Sequence, residues 1–243
     1  MKKILLIIPA FNESEGIVAV IRKVDAFRAK WANMNKGRQL DYIVINDGST
    51  DNSEEVLLAN DIKHIELIQN LGIGGAVQTG YKYALENDYD VACQFDGDGQ
   101  HEIESLPALV NPILAGEVDF AVGSRFVEGS PSEFTSSAAR QIGIGILSAV
   151  LKFVSKLTIK DITSGYRAGN RKVIEIFARD YPRRYPEPES YIALKEKKLR
   201  VKEFGVKMYE RRFGKSSIDF RAGFSYMYSV LLTLLIVGLA ERK

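Results

Sequence analysis

Two aspartates lie one residue apart directly after an apolar run, in the segment Val91-Ala-Cys-Gln-Phe-Asp96-Gly-Asp98-Gly-Gln-His101. In an extended strand, residues i and i+2 point to the same side, so Asp96 and Asp98 can face one point beyond the strand end. Two carboxylates held together repel unless a cation or a proton lies between them. Mg²⁺ is bound through one or two carboxylates together with the phosphates of a substrate. The spacing therefore favours a divalent-cation site, although an Asp-Gly hairpin turn has the same sequence.

Polar turns follow two other apolar runs. Residues 9–13 and 46–52 each come directly after a short aliphatic segment that predicts a buried strand. A carboxylate such as Asp47 can accept hydrogen bonds from a base or a ribose, whereas Asp51 is better placed to cap the next helix. Both turns are therefore candidate ligand-binding segments.

Positively charged residues that could meet a phosphate group lie in the second half of the chain. Arg125 follows a predicted strand, and Arg211, Arg212 and Lys215 lie in a basic, glycine-containing segment. Arginine forks suit phosphate oxygens. A solvated surface charge is the alternative for each, and it fits Arg212 better than Arg125. His101 adjoins the two aspartates and is a candidate for supporting or ligating the ion.

The glycines at 72, 74 and 75 open a predicted helix, and a helix N-terminus attracts phosphate. Val77 stands where a dinucleotide-binding motif would have its third glycine, which weakens that interpretation. Close packing of the helix explains these glycines equally well.

Apolar runs alternate with helical patterns in the first half of the chain, which predicts βαβ units and a largely parallel sheet. The predicted strands lie at residues 3–8, 42–45, 62–68, 90–95 and 118–122, and the helices between them at 15–30, 53–59, 71–87 and 102–115. In open α/β sheets, ligands bind beyond the carboxyl ends of the strands. The three polar turns, at 9–13, 47–51 and 96–100, therefore converge on one edge of the sheet.

The pattern changes after Arg125. The sequence there predicts a loop at 128–137, an apolar helix at 140–157, a polar loop at 161–167 leading into Ala168-Gly-Asn, a loop at 181–189, a helix at 190–198 and a strand at 199–209. The composition is typical of a globular protein, with 46% hydrophobic and 26% charged residues. The net charge of +2 gives no sign of a nucleic-acid partner. The single cysteine, Cys93, excludes an internal disulfide and favours a reducing compartment, and no secretory signal is expected.

The end of the chain is apolar. Residues 224–240 carry no charge, and as a helix they would rise about 26 Å, slightly less than the roughly 30 Å of a bilayer's hydrocarbon core. Tyr226 and Tyr228 lie near its start, where membrane interfaces favour aromatic residues. We expect a domain at 1–217 and a membrane-associating or oligomerising segment at 218–243. The alternative is a tail that packs on its own domain or on another copy.

Taken together, these segments resemble family 2 glycosyltransferases of the GT-A fold. The matching motifs are Ile8-Pro-Ala-Phe-Asn-Glu13, Ile45-Asn-Asp-Gly-Ser-Thr-Asp51, Asn70-Leu-Gly-Ile-Gly-Gly-Ala76 and Asp96-Gly-Asp-Gly-Gln-His101. Three others resemble the branch that acts on polyprenyl (dolichyl) phosphate: Gly123-Ser-Arg125, Asp161-Ile-Thr-Ser-Gly-Tyr-Arg167 and Arg211-Arg-Phe-Gly-Lys-Ser216. Ser217 departs from the branch, which has a lysine there that Lys215 would have to replace. The single marginal apolar tail also differs from the two or more membrane spans of many members.

The resemblance implies a nucleotide-sugar donor, expected to be a UDP-sugar, whose nucleoside is held by Pro9, Phe11, Glu13 and Asp47. It implies Mg²⁺ or Mn²⁺ at Asp96 and Asp98, next to a diphosphate that also meets Gly97 and Gln100. Phosphate contacts are expected from Arg125, Arg211 and Lys215. The residues expected to act in catalysis are Asp98, Arg125 and Asp161, the last as an acid near the acceptor phosphate. The implied fold is a mixed, mainly parallel α/β sheet flanked by helices, with a C-terminal apolar helix.

The predicted reaction is transfer of a sugar, with inversion, to a polyprenyl phosphate in cell-envelope glycan synthesis. Negative charge develops on the leaving diphosphate, where a cation and arginines stabilise the transition state. A hydroxyl acceptor on a growing glycan is an alternative that requires a base, for which Asp161 is the candidate. Nucleotidyl transfer would require a glycine-rich basic loop after the first strand, and a non-catalytic scaffold has no use for two repelling carboxylates.

The expected partners are the nucleotide sugar, the polyprenyl phosphate and a membrane surface. A peripheral or shallowly inserted enzyme on the cytoplasmic face of the membrane is predicted, held by the apolar helix at 140–157 and the tail. Lys152 and Lys156 are available for anionic headgroups. A small membrane protein or self-association of the tail would be a further means of attachment.

Overall fold

The structure is a computed structural model that describes residues 1–127, 130, 138–183, 186–209, 229–233 and 236 of the chain. The strands are β1 Lys2–Ala10, β2 Arg38–Asn46, β3 His64–Glu66, β4 Val91–Gln94, β5 Phe120–Ser124, β6 Arg167–Asn170 and β7 Val201–Gly205. The helices are α1 Ile17–Met34, α2 Ser53–Ala59, α3 Gly72–Glu86, α4 Leu106–Leu114, α5 Ala138–Ser155, α6 Arg171–Arg179 and α7 Pro186–Glu196.

The strands form one sheet in the order β3-β2-β1-β4-β6-β5-β7. β1 pairs in parallel with β2 and β4, β2 with β3, and β5 with β7, whereas β6 is antiparallel to both β4 and β5. The carboxyl ends of β1, β2, β4 and β5 therefore meet at one edge, and β6 begins at that same edge. The prediction of a mixed, mainly parallel sheet is confirmed.

The centre of the sheet is built on β1. Residues Ile4 to Ile8 are fully buried, and successive side chains enter opposite layers of the protein. Leu6 packs in the layer that contains α1 and α4, while Leu5 and Ile7 pack in the layer that contains α3 and α6. A strand covered on both faces has a continuous apolar run, which is why its position could be predicted.

The structure corrects the prediction for the segment after residue 161. The polar loop at 161–167 ends where β6 starts, and α6 follows β6 directly. The side chain of Asn170 caps α6 by accepting a hydrogen bond from the Val173 amide at 3.2 Å. A strand of four residues that includes a glycine and a buried arginine has no alternating pattern to reveal it.

Other predicted boundaries shift for identifiable reasons. α7 begins at Pro186, inside the predicted loop at 181–189, because proline is favoured in the first turn of a helix. Pro107 has the same effect at the start of α4, so the predicted helix at 102–115 is a 3₁₀ turn at Ile103–Ser105 followed by α4. The predicted strands at 62–68 and 199–209 shorten to β3 and β7, the lengths over which a partner strand pairs with them.

Part of the apolar tail is described, and it contacts the domain. Residues 229–233 and 236 are helical, Val230 is buried, and Leu231 packs against the cluster that contains Leu147 and Leu151 of α5. Within the part of the chain that the structure describes, no helix combines the length and hydrophobicity that a membrane span requires. The predicted boundary between 217 and 218 lies outside the described residues.

Candidate active site

The candidate site lies at the edge of the sheet where the six parallel strands end and β6 begins. Gln94, the last residue of β4, pairs across the sheet with Arg167, the first residue of β6. β1 lies between β2 and β4. The chain after β1 leads to β2 on one side, and the chain after β3 leads to β4 on the other side, so the connections diverge at the end of β1. In open α/β sheets such a crevice is the place where ligands bind.

The turns after β1 and β2 are tied to each other. Asn12 has a left-handed backbone with φ of 56°, and its side-chain oxygen accepts hydrogen bonds from the amides of Thr50 at 2.8 Å and Asp51 at 3.3 Å. The amide of Glu13 donates to the hydroxyl of Ser53 at 3.1 Å. These bonds place the buried Glu13 beside the start of α2, while the neighbouring Phe11 stays exposed.

Asp47 and Asp51 make different contacts, and Asp51 lies at the start of the next helix as the sequence suggested. Asp51 accepts a hydrogen bond from the Ser53 amide at 3.0 Å, at the start of α2. The carboxylate of Asp47 is buried and accepts a bond from the Leu71 amide at 2.8 Å. Burial raises the pKa of Asp47, opposed by backbone hydrogen bonds from Leu71 and Gly72. Asp47 therefore lies where the turns after β2 and β3 meet, with its charge incompletely solvated.

Asp96 is held by hydrogen bonds at two of its atoms. Its Oδ1 accepts a hydrogen bond from Gln94 Nε2 at 2.9 Å, and its amide donates to His101 Nδ1 at 3.1 Å. Because Nδ1 accepts this hydrogen bond, the proton of a neutral His101 ring lies on Nε2, whose 3.7 Å separation from Asp96 Oδ2 is too long for a hydrogen bond. The Asp96 side chain remains 29% exposed, so it can still meet a ligand from solvent.

The turn that carries Asp98 is locked to the end of the sheet. Asp98 Oδ1 accepts a hydrogen bond from the Gln100 amide at 3.0 Å, and Gly99 has a φ of 74°. The Gln100 carbonyl accepts from the Tyr209 amide at 2.8 Å, and Gln100 Nε2 donates to the Tyr209 carbonyl at 3.3 Å. The turn and the chain after β7 therefore form one unit.

Pro9 and Gly97 bring β1 close to this turn. The carbonyl of Pro9 accepts a hydrogen bond from the Gly97 amide at 3.3 Å. A Cβ atom at position 97 would lie 3.1 Å from the same carbonyl oxygen, so a side chain there would press on β1. Gly97 thus allows the close approach of Asp96 and Asp98 to the strand that carries Pro9.

Arg125 and Asp161 are bound to each other. Arg125 Nε and Nη2 donate to the two oxygens of Asp161 at 2.8 and 2.7 Å, and the Arg125 amide donates at 3.1 Å. The Asp161 side chain is 0% exposed, and a buried carboxylate needs a counter-charge. The structure thus joins two predicted catalytic residues as an ion pair, and it separates both carboxylate oxygens of Asp161 from solvent.

Two sets of residues from the sequence analysis remain. One lies outside the described residues, and the other lies at the start of α3. Arg211 and Lys215 lie outside the described residues, so their phosphate contacts stay predictions. Gly74 shows the close packing that was the alternative for the glycine-rich segment, because a Cβ there would lie 2.5 Å from the carbonyl oxygens of Pro182 and Arg183.

Two polar residues at this edge were not predicted from the sequence. Gln94 and Arg167 are both buried, and Arg167 Nη2 donates to Gln94 Oε1 at 2.9 Å. Gln94 is a polar residue inside the apolar run that precedes Asp96, and this exception was visible in the sequence. Arg167 stands in a motif already singled out, but only the pairing of β4 with β6 brings it beneath Asp96.

The donor atoms of this site suit a hard divalent ion. Asp96 and Asp98 offer carboxylate oxygens, the ligand type that Mg²⁺ and Mn²⁺ prefer. Among the described residues, no cluster of three or more His, Cys, Asp or Glu side chains is arranged as a closed metal cage. Two carboxylates on an accessible turn fit an ion that takes its other ligands from water and from a bound diphosphate.

The chain has the GT-A glycosyltransferase fold, with a mainly parallel sheet and an aspartate pair at its crevice. Its backbone superposes with a TM-score of 0.69 on glucosyl-3-phosphoglycerate synthase from Mycobacterium tuberculosis, at 17% identity over 98% of this chain and 78% of that one. That enzyme was crystallised with Mn²⁺, uridine diphosphate and phosphoglyceric acid.

Residues 5–177 match the family described as glycosyl transferase family 2, and the chain belongs to that family. It is 28% identical to a UDP-N-acetylglucosamine–dolichyl-phosphate N-acetylglucosaminyltransferase of Methanococcus voltae, over 95% of this chain and 96% of that protein. It is 31% identical to the polyprenol monophosphomannose synthase of Mycolicibacterium smegmatis, over 72% of this chain and 64% of that protein. The predicted resemblance is confirmed, and these relatives are named for a dolichyl phosphate or for a polyprenol monophosphomannose.

Proposed function

We propose that this glycosyltransferase moves a sugar from a nucleotide sugar, a UDP-sugar, onto a polyprenyl phosphate, with inversion at the sugar carbon. The observation that carries the proposal is the position of Asp96 and Asp98 at the crevice of the sheet, on a turn fixed to both β1 and the chain after β7. The names of the relatives from Methanococcus voltae and Mycolicibacterium smegmatis support the same acceptor class.

The turns after β1 and β2 suit the nucleoside. Asp47 is a buried carboxylate that accepts a hydrogen bond from the Leu71 amide, and a base or a ribose hydroxyl can donate a further one. Phe11 is exposed beside this turn and offers an aromatic face. Pro9 and Glu13 flank this turn, since the Pro9 carbonyl accepts the Gly97 amide and the Glu13 amide is anchored at the start of α2.

The turn after β4 suits the diphosphate. Asp96 and Asp98 would hold the divalent ion, with Gly97 and Gln100 on the same turn. When bound, Mg²⁺ or Mn²⁺ supplies positive charge that stabilises the leaving diphosphate. The enzyme is accordingly proposed to be dependent on a divalent metal.

The ion pair between Arg125 and Asp161 favours a phosphate acceptor over a hydroxyl. A hydroxyl acceptor needs a base, but both oxygens of Asp161 already accept hydrogen bonds from the Arg125 guanidinium. A lipid phosphate is an anion and needs little activation. In this proposal Asp161 orients Arg125 at the acceptor side of the crevice and is not itself the base.

The outer helix α5 suits attachment to a membrane surface. Ile142 and Ile146 lie one turn apart and are 65% and 48% exposed. The sequence of α5 contains no aspartate or glutamate, and Lys152 and Lys156 lie at its carboxyl end. Apolar side chains flanked by lysines fit the headgroup region of an anionic bilayer. The enzyme is therefore proposed to bind peripherally at the cytoplasmic face, with the tail, a small membrane protein or a second copy as further attachments.

The test is incubation of the full chain with a panel of UDP- and GDP-sugars, a polyprenyl phosphate and MnCl₂ or MgCl₂, with lipid products identified by mass spectrometry. The expected product is one glycosyl polyprenyl phosphate, whose anomeric configuration is the opposite of that in the donor. Transfer to a polysaccharide hydroxyl with none to the lipid phosphate would contradict the proposed acceptor.

A further inference from the structure

A chain of polar contacts runs from the protein interior to the carboxylate of Asp96. Arg167 Nη2 donates to Gln94 Oε1 at 2.9 Å, and Gln94 Nε2 donates to Asp96 Oδ1 at 2.9 Å. Arg167 and Gln94 are each 1% exposed, so neither can touch a ligand in the crevice. Any influence they have on a ligand must therefore pass through Asp96.

The chemistry of these groups fixes the direction of every bond. A guanidinium only donates hydrogen bonds, so the oxygen of the Gln94 amide must face Arg167. The amide nitrogen must then face Asp96, where a carboxylate oxygen accepts. Arg167 thus determines which end of Gln94 meets Asp96, and the reversed amide would place two oxygens against each other.

Arg167 is itself immobilised by the second half of the chain. Its Nη2 also donates to Tyr181 Oη at 2.8 Å, and its Nη1 donates to Ser190 Oγ at 3.0 Å and to the Pro186 carbonyl at 3.4 Å. Among the described residues no carboxylate lies within ion-pair distance of this buried guanidinium, and its Nε has no hydrogen-bond partner. The charge of Glu187 favours the guanidinium from beyond ion-pair distance, while hydrogen bonds to neutral groups fix its position.

The two residues before Arg167 restrain Asp96 as well. A Cβ atom at Gly165 would lie 2.4 Å from Asp96 Oδ2, so any side chain at position 165 would displace that oxygen. The ring of Tyr166 stacks on His101 with centroids 4.7 Å apart, and His101 accepts a hydrogen bond from the Asp96 amide. Three consecutive residues therefore confine Asp96 by contacts of three different kinds.

We infer that Gln94 and Arg167 are positioning residues, which, together with Gly165, hold Asp96 in the orientation that binds the divalent ion. The inference rests on the proposed function, in which Asp96 is an ion ligand. With Oδ1 held by Gln94, Oδ2 is the oxygen left for the ion. Groups that orient metal ligands in this way typically change metal affinity by about 10- to 100-fold when they are removed.

The test measures Mn²⁺ binding to the full chain by calorimetry in the presence of saturating UDP or GDP, with the melting temperature measured separately in EDTA. Gln94→Met preserves the bulk of the side chain and removes both hydrogen bonds, and we expect Mn²⁺ to bind about 10- to 100-fold more weakly. Arg167→Lys preserves the charge without the fork, and Gly165→Ala crowds Asp96 Oδ2; for each we expect roughly tenfold weaker binding.

A double-mutant cycle separates positioning from a general structural role. If Arg167 acts through Gln94, Arg167→Lys should weaken Mn²⁺ binding in the wild type but have no further effect in the Gln94→Met background. The matched control is Asp119→Asn, which breaks a polar cluster at the opposite end of β5 and should lower the melting temperature without changing Mn²⁺ affinity.

The outcomes distinguish this inference from the proposed function. Unchanged Mn²⁺ affinity in Gln94→Met, or additive effects in the double mutant, would overturn the inference and leave the proposed function standing. If Gln94→Met does not fold, an unchanged affinity in both Gly165→Ala and Arg167→Lys would overturn it. If the wild-type chain binds no Mn²⁺ in the presence of UDP and none in the presence of GDP, the metal-dependent donor site is contradicted. The inference then fails with it.

Discussion

The two halves of the sheet treat their buried charges differently. In the half built from β1 to β4, Asp47 and Asp96 accept hydrogen bonds from backbone amides and a glutamine side chain, and among the described residues no lysine or arginine lies within ion-pair distance of either. In the half built from β5 to β7, Asp161 and Asp119 are each bound by the fork of an arginine. One half leaves negative charge at the crevice, and the other neutralises it internally.

This difference indicates where an external cation is needed. Carboxylates that accept hydrogen bonds only from neutral donors have no positive side chain to balance them, so a divalent ion and the groups of a nucleotide can complete their coordination. A carboxylate already paired with arginine gains little from an ion and instead fixes the position of its partner. The donor side of the crevice is therefore the side expected to depend on metal, and the acceptor side the one expected to depend on Arg125.

The largest effect is expected from removing one of the two charges that are proposed to bind the metal. Asp98→Asn should lower transfer by roughly a thousandfold or more, since several kcal/mol of charge stabilisation is lost. The side-chain oxygen of the introduced asparagine can still accept the hydrogen bond from the Gln100 amide, so the fold should be retained. Activity is measured across a Mn²⁺ titration and in EDTA. A wild-type enzyme with full activity in EDTA would contradict the metal site altogether.

A second effect is expected from breaking the buried pair on the acceptor side. Asp161→Asn leaves the Arg125 guanidinium without its counter-charge, and the free energy of unfolding should fall by about 3–5 kcal/mol. Turnover should fall more than donor affinity, because the pair belongs to the half without the donor carboxylates. Urea unfolding and donor calorimetry check the two parts.

The double variant Asp161→Asn with Arg125→Gln is the control for this pair. Without a buried, unpaired charge it should recover part of the lost stability but none of the lost turnover. Lost donor binding with unchanged turnover at saturation would mean that the pair belongs to the donor side, and the comparison between the halves would fail.

The sequence predicted the first half of the molecule better than the second, for a physical reason. β1, β2 and β4 are aliphatic runs ended by proline, asparagine or aspartate, so local pattern alone located Asp47, Asp96 and Asp98 at one edge. The second half depends on long-range pairing. Asp161 meets Arg125 across 36 residues, and β6 inserts between β4 and β5 although it comes after both in the chain. No local periodicity encodes either arrangement.

The same contrast explains what was missed at the site itself. Gln94 and Arg167 are polar residues in strand positions, where a buried apolar residue is the usual expectation. Their roles depend on the cross-strand pairing of β4 with β6, which local pattern does not contain. Asp161 stays a predicted residue of the acceptor side, and its ion pair with Arg125 became visible only in the fold.

A smaller effect is expected at the outer surface of the second half. Ile146→Glu on α5 should weaken co-sedimentation with anionic liposomes by about tenfold, because burial of an isoleucine side chain contributes roughly 1.5–3 kcal/mol. Activity on a short, water-soluble polyprenyl phosphate should be unchanged. Leu58→Glu on α2, which is 63% exposed on the first half, is the matched control and should not affect liposome binding. Equal losses in both variants would argue against attachment through α5.

The smallest effect tests whether the arginine forks of the second half hold their carboxylates ionised. Hydrogen bonds from Arg200 lower the pKa of Asp119 from its ordinary 3.8 to about 2. The folded state therefore keeps Asp119 ionised at pH values where the unfolded chain takes up a proton. Its contribution to stability is fully present above pH 3.8 and is lost as the pH falls from 3.8 toward about 2.

The melting temperature of Asp119→Asn should thus lie below that of the wild type by a constant amount from pH 8 to pH 5, and the gap should narrow as the pH falls below 3.8. Because the Arg200 side chain is 56% exposed, added salt should reduce the gap at neutral pH. Arg200→Gln should remove the same pH dependence, since the fork is its cause. A gap that stays constant down to pH 3 in the wild-type background would mean that Asp119 contributes through shape alone. The two halves of the sheet would then differ less in their treatment of charge than the geometry indicates.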